Sequence, residues 1–309
     1  MTIGFGSHGT VVFKGSFQGR AVAVKRLLSD FVTLATREVT LLQESDDHPN
    51  VIRYYFKESK DNFLYIALEL CPASLADIVE RAGAETLREL VAAFEPKRAL
   101  AQVTAGLRHL HALKIVHRDI KPQNILVSAG KKGGADFRML ISDFGLCRKL
   151  DMDQTSFLPT HIGGAGAGTV GWRAPEILRG EVKLDEQTGD MSSGSQSVGS
   201  PSNSIGGIGS SGSSRGGSGH VTRLTKSVDV FALGILFYYT LTGGEHPFGD
   251  RYERESNILK NLRNLTWLER LGEEGMEADD LIGKMLDMDP KTRYVLRCHP
   301  LNALSKSVF

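Results

Sequence analysis

A polar octet pinned between two apolar runs constrains this chain more than any other feature. His117-Arg118-Asp119-Ile120-Lys121-Pro122-Gln123-Asn124 is flanked by Ile115-Val116 and Ile125-Leu126-Val127. Buried runs at both ends make such a segment a rigid loop, and a rigid loop places side chains accurately. Nineteen residues after Asn124 comes Asp143-Phe144-Gly145, preceded by a further apolar run, Met139 to Ile141. Taken singly, Asp and Asn are more often turn formers. As a spaced set, H-R-D-x-K-x-x-N followed by D-F-G, they point to phosphoryl transfer. Asp119 is then expected to accept the proton of a substrate hydroxyl, and Lys121 to neutralise charge on the transferred group. Asn124 and Asp143 are expected to hold Mg²⁺ through oxygen donors, which suit a hard cation.

The first residues supply a matching nucleotide signal. Gly4, Gly6 and Gly9 form G-x-G-x-x-G, which lets backbone approach phosphates but is weak alone. A dinucleotide-binding turn needs a strand before the glycines and a helix after them. Here the chain continues into Thr10-Val11-Val12-Phe13, a strand pattern, so a glycine-rich hairpin over a nucleotide is favoured. Val22-Ala23-Val24-Lys25 then places a lysine among apolar strand residues. Alone it reads as an edge-strand surface lysine. However, Leu34, Glu38, Leu41 and Leu42 fall at i, i+4, i+7 and i+8, which turns Glu38 inward on a helix. A buried carboxylate needs a cation, and a Lys25–Glu38 ion pair would hold the lysine against the α and β phosphates of ATP.

With 309 residues, 41% of them apolar, the chain exceeds the usual single-core size, and two lobes are expected. Its formal charge of +1 offers no global attraction to nucleic acid or anionic lipid. Cys71, Cys147 and Cys298 form no C-x-x-C pair, which argues against a disulfide framework or a zinc knuckle. No apolar run approaches eighteen residues, and Met1 is followed by a Gly-rich polar stretch rather than a basic segment and an apolar core, so neither a membrane span nor a signal peptide is expected. Strand patterns cover Thr10 to Phe13, Ala21 to Val24, Val51 to Phe56 and Phe63 to Leu70, and from about residue 72 the signal is mostly helical. Val228 to Leu241, apolar except for Asp229, reads as a core helix. Between Gly189 and Gly219, 22 of 31 residues are Gly or Ser, and we expect a disordered insertion over residues 183–222.

On these motifs the chain resembles a eukaryotic protein kinase across nearly its whole length, and Ala174-Pro175-Glu176 completes the set. The resemblance implies a two-lobed α+β fold. Residues 1–71 would form a small antiparallel-sheet lobe with one helix and the hinge, and residues 72–309 a larger, mainly helical lobe. It implies ATP and Mg²⁺, with Gly4, Gly6, Gly9 and Lys25 on the phosphates. Val11 and Ala23 would cover the adenine, Leu68 would be the gatekeeper, and Glu69 and Cys71 would offer hinge backbone groups. By the same resemblance Glu176 pairs with Arg293, and Asp229 braces the catalytic loop. Lys121, two residues after the base, is similar to serine/threonine rather than tyrosine kinases. Arg118 beside the base implies a phosphate on the activation segment, and Thr155 and Ser156, rather than Thr160, are the expected acceptors.

Less generic stretches narrow the resemblance: Asp143 to Leu150, Gly171 to Glu176, and Gly243-Gly244-Glu245-His246-Pro247-Phe248-Gly249-Asp250-Arg251-Tyr252. Together they are similar to the fungal inositol-requiring kinase/endoribonuclease sensors of the unfolded-protein response. That resemblance implies trans-autophosphorylation between copies of the chain, as a homodimer or higher oligomer, on the cytosolic face of the endoplasmic reticulum membrane. After Asp289 to Arg293 the chain runs only to Phe309, so no ribonuclease domain and no direct nucleic-acid binding are expected of it. Two alternatives stand beside this reading. One is a nucleotide-gated dimerisation module with little kinase activity, acting as a switch for an absent ribonuclease domain. The other, a small-molecule phosphotransferase, typically lacks the A-P-E motif and the long activation segment.

Overall fold

The computed structural model describes residues 1–5, 10–28, 32–129, 137–151, 154, 156, 161–162, 165–166, 168–179 and 225–296. The expected insertion at 183–222, along with Gly6, Gly9, Thr155 and Thr160, lies outside them.

The chain opens with an antiparallel sheet built from β1 (Thr2–Phe5), β2 (Val11–Phe17) and β3 (Arg20–Leu28). Gln18 and Gly19, both at positive φ (50° and 76°), close the β2–β3 hairpin with a two-residue turn whose twist matches the flanking strands. Next comes α1 (Val32–Ser45). Glu38, Val39, Leu41, Leu42 and Ser45 make its buried face, as the i, i+3, i+4, i+7 spacing requires. β4 (Tyr54–Lys60) and β5 (Phe63–Glu69) complete the sheet, in the order β1-β2-β3-β5-β4.

β2 and β3 run longer than their sequence patterns, and the pattern that put Val51 to Phe56 in a strand is displaced. Val51 and Ile52 are both buried and dock on Ile141, Val51 through an isolated bridge and Ile52 through its backbone N–H at 3.0 Å. Two consecutive buried residues cannot belong to a strand with one exposed face, so regular pairing starts only at Tyr54.

Beyond Glu69 the fold is mainly helical. β6 (Ala73–Ser74) leads into α2 (Leu75–Glu80), where Ser74 and Asp77 form a reciprocal capping box. α3 (Arg88–Ala93) and the longer α4 (Pro96–Ala112) follow. α4 starts at Pro96, with the Glu95 carboxylate accepting from the N–H groups of Lys97 and Arg98. Its buried stripe, Leu100, Val103, Leu107 and Leu110, is the one that the periodicity predicts. β7 (Ile115–Val116) then introduces the polar octet, and β8 (Ile125–Ala129) leaves it to pair with β9 (Phe137–Ile141).

After Asp143-Phe144-Gly145, β10 (Arg148–Lys149) returns to pair with β7. A small ribbon of β11 (His161–Ile162) and β12 (Ala165–Gly166) precedes α5 (Pro175–Leu178). α6 (Ser227–Thr242) is buried on nearly all sides, as its apolar composition requires, and ends on Gly243 in the left-handed region. α7 (Arg254–Lys260) and α8 (Glu273–Met285) finish the described chain. The result is an α+β protein with an antiparallel-sheet lobe and a helical lobe. No helix among the described residues is long and apolar enough to cross a membrane.

Candidate active site

Both apolar flanks of the octet become strands, and the loop between them is braced from behind. Asp229, from the first turn of α6, accepts from the backbone N–H groups of His117 (2.8 Å) and Arg118 (2.7 Å) and from the His111 ring (2.8 Å). Burial opposes the Asp229 charge, but these donors hold its pKa below the usual carboxylate range. Arg118 adopts φ 72°, a conformation that costs energy for a side chain with a Cβ. The two N–H bonds to one carboxylate are what fix it. His117, fully buried, donates from Nε2 to the Ser142 carbonyl at 2.9 Å and meets the Phe144 ring edge-on at 5.7 Å. The loop is thereby tied to the segment that carries Asp143.

Asp119 sits at the centre, its side chain only 6% exposed. Its Oδ2 accepts from Lys121 Nζ (2.7 Å) and Asn124 Nδ2 (2.9 Å), and its Oδ1 from the Thr169 hydroxyl (2.7 Å) and backbone N–H (3.0 Å). Lys121 also donates to the Thr169 hydroxyl at 2.6 Å. Sequence reasoning missed Thr169. It lies fifty positions from Asp119, and its only signal was its place in the stretch leading to Ala174-Pro175-Glu176.

Lys25 Nζ contacts Glu38 Oε1 at 2.6 Å and Asp143 Oδ1 at 2.9 Å. The inward turn of Glu38 is therefore as the spacing predicts, and Asp143 joins the pair from the other lobe. Burial opposes the Lys25 charge, but Glu38 and then Asp143 outweigh it and raise its pKa above the ordinary lysine value. Lys25 in turn pulls the Asp143 carboxyl down to about 2, against burial. Asp143 keeps 41% of its side chain exposed and sits in the left-handed region at φ 61°. It is the member of the triad that still faces solvent.

Most of the remaining predicted residues that the structure describes lie on the five-stranded sheet or just after it. Ala23 pairs directly with Leu68 across β3 and β5, and Lys25 pairs with Ile66. Val11 opens β2 opposite Arg26, and Gly4 pairs with Val12 from β1. Glu69 ends β5, and Cys71, whose thiol is pushed up to about 12 by burial and by Glu69, follows it. Ser156 is described, but the structure describes neither Gly6, Gly9 nor Thr155. Glu176 and Arg293 form the expected bidentate pair (2.7 and 2.9 Å).

Chemically, the arrangement holds a buried carboxylate beside an ammonium and a hydroxyl, and a second, solvent-facing carboxylate beside another ammonium. Residues 1–195 match the family described as protein kinase domain. The chain is 48% identical over 310 residues to the serine/threonine-protein kinase/endoribonuclease ireA of Aspergillus fumigatus, covering 97% of this chain and 25% of that protein. It is 50% identical over 299 residues to the serine/threonine-protein kinase/endoribonuclease IRE1 of Hypocrea jecorina, covering 94% and 22%. It is 43% identical over 305 residues to the sensor for unfolded proteins in the ER, ire1, of Schizosaccharomyces pombe, covering 97% and 26%. The chain thus spans about a quarter of the length of these curated relatives.

Proposed function

This chain belongs to the protein kinase domain family, and from that premise we propose that it transfers the γ-phosphoryl group of ATP to serine and threonine hydroxyls. The setting of Asp119 carries the reading: a buried carboxylate held by Lys121, Asn124 and Thr169 on a loop braced by Asp229. In this reading Asp119 orients the substrate hydroxyl and takes its proton, while Lys121 offsets charge on the transferred group. Lys25, fixed by Glu38, engages the α and β phosphates. Adenine lies by Ala23 and Leu68 with its polar edge on the backbone of Glu69 and Cys71, and Gly4, Gly6, Gly9 and Val11 cover the nucleotide. The oxygen donors of Asp143 and Asn124 fit a hard divalent cation, for which we take Mg²⁺. When bound, it supplies charge neutralisation at the phosphates.

A second part of the proposal concerns regulation. Burial and then Arg148 lower the pKa of both Arg37 and Arg118, the latter to about 10, with Arg37 adding to the effect on Arg118. Arg118 directly precedes the base Asp119, and a phosphate on the activation segment can pair with an arginine in that position. We assign that role to phosphate on Thr155 or Ser156, placed there by a second copy of the chain in a dimer or larger assembly. By likeness to relatives named as kinase/endoribonucleases and as a sensor for unfolded proteins, the reaction would serve unfolded-protein signalling at the cytosolic face of the endoplasmic reticulum.

Incubation of the full chain with ATP and Mg²⁺, followed by phosphosite mapping, tests both parts. Asp119→Asn is expected to cut incorporation by about a hundredfold or more. No incorporation above background by the wild-type chain would instead favour a nucleotide-gated dimerisation module, and equal incorporation by wild type and Asp119→Asn would remove Asp119 as the base.

A further inference from the structure

Away from the reacting atoms, the hinge carries a polar cluster that the chemistry above does not use. Glu69 Oε1 accepts from Ser128 Oγ at 2.7 Å and from Arg138 Nη2 at 2.6 Å. Arg138 Nη2 also lies 3.3 Å from Ser128 Oγ, and its Nη1 donates to the Pro49 carbonyl at 3.2 Å. The Glu69 side chain is 15% exposed, so its charge is largely removed from water and depends on these donors.

The connectivity gives the cluster a purpose. Ser128 on β8 and Arg138 on β9 are direct cross-strand partners. The opposite end of the same ribbon borders Asn124, just before β8, and Asp143, just after β9. Pro49 belongs to the connection between α1 and β4, whose next residue, Asn50, accepts the Ile141 N–H at 3.0 Å. One guanidinium therefore joins the hinge, the ribbon that ends at the proposed metal ligands, and the segment behind α1.

We propose that Glu69, Ser128 and Arg138 act as a hinge clamp, with Arg138 and Ser128 as positioning residues for nucleotide recognition. By holding the Glu69 carboxylate, the clamp fixes the backbone that reads the adenine edge relative to the phosphate-binding end of the cleft. This rests on the assignment of the Glu69 backbone to adenine made above. A loose hinge weakens binding of ATP in both ground and transition state, so KM rises with little change in kcat. It also blunts discrimination by hydrogen bonding, so preference for ATP over GTP falls.

Steady-state kinetics of the full chain with ATP and with GTP provide the test. Arg138→Met is expected to raise KM for ATP about fivefold, with kcat within about twofold of wild type, as suits a half-exposed charge-assisted bond. Arg138→Lys is expected to recover at least half of the loss. Glu69→Gln should behave like Arg138→Met, and the double variant should be no worse than either alone. Should Arg138→Met not fold, Ser128→Ala is expected to show the same split with a smaller KM change. An unchanged KM and ATP/GTP ratio in these variants, or effects of Glu69→Gln and Arg138→Met that multiply, would overturn the clamp. Lys25→Met separates this from the reading beneath it. If Lys25→Met keeps wild-type ATP kinetics, the nucleotide site itself is misassigned, whereas silence of the Arg138 series alone removes only the clamp.

Discussion

At the scale of single residues, Thr169 shows how much of the site's precision comes from outside the octet. Its hydroxyl donates to Asp119 and accepts from Lys121, so one side chain sets the direction of both. Removing it leaves the Asp119–Lys121 contact but frees both groups to rotate. Thr169→Ala is expected to lower kcat by about tenfold, the equivalent of one hydrogen bond to a charged group, with KM for ATP unchanged. Thr169→Ser should retain most of the activity, and wild-type kcat in Thr169→Ala would remove this role. The octet and Lys25–Glu38 were legible because their signals are local: flanking apolar runs and helical spacing. Thr169–Asp119, Arg138–Glu69 and His111–Asp229 were not, since separations of 50, 69 and 118 positions leave no periodic trace.

At the scale of elements, the connection from α6 to α7 holds the segment that precedes α5. His246, buried there, donates from Nε2 to the Gly171 carbonyl at 3.0 Å and accepts the Phe248 N–H at Nδ1 (3.2 Å). Trp172 packs edge-on against both His246 and Tyr239 of α6, at 5.6 and 6.0 Å between ring centres. Both ring nitrogens are committed as a neutral imidazole, and a second proton would face an N–H. Burial, with Arg254 nearby, accordingly pushes the His246 pKa down to about 3 from 6.5. The unfolded chain binds this proton near its ordinary pKa while the folded one refuses it. Stability is therefore full above about pH 6.5 and falls as pH drops toward 3, by up to about 1.4 kcal/mol per pH unit from this group. Urea unfolding at pH 7.5, 6.5 and 5.5 is expected to show a shallower slope in His246→Gln than in wild type. Parallel slopes would mean that His246 does not titrate between the two states. The local sequence Glu245-His246-Pro247-Phe248 marks a turn but does not reveal its partner, because Gly171 lies on another element.

At the scale of the whole molecule, Arg293 closes the helical lobe. Its side chain is fully buried, paired through Nη1 and Nη2 with Glu176 of α5. It also donates to the Ser227 carbonyl of α6 (2.9 Å) and, through Nε, to the Asp287 carbonyl beyond α8 (2.8 Å), and it lies 5.1 Å over the Phe231 ring. Glu176 and Ser227 flank the long Gly/Ser-rich stretch in sequence, so one cation ties the described residues before it to those after it. The two-lobed α+β plan was legible from strand and helix periods, and the Glu176–Arg293 pair from family resemblance. The carbonyl partners were not, because backbone acceptors carry no residue signature. A buried ion pair is weak evidence for stability as a pair, yet breaking it strands a charge away from water. Arg293→Met is expected to cost about 3–5 kcal/mol in chemical denaturation, because Glu176 then has no cation. Adding Glu176→Gln should recover part of that loss by removing the stranded carboxylate, although the Ser227 and Asp287 carbonyls still lose their donor. If Arg293→Met unfolds within about 1 kcal/mol of wild type, or if the second substitution deepens the loss, the pair does not close the lobe as argued.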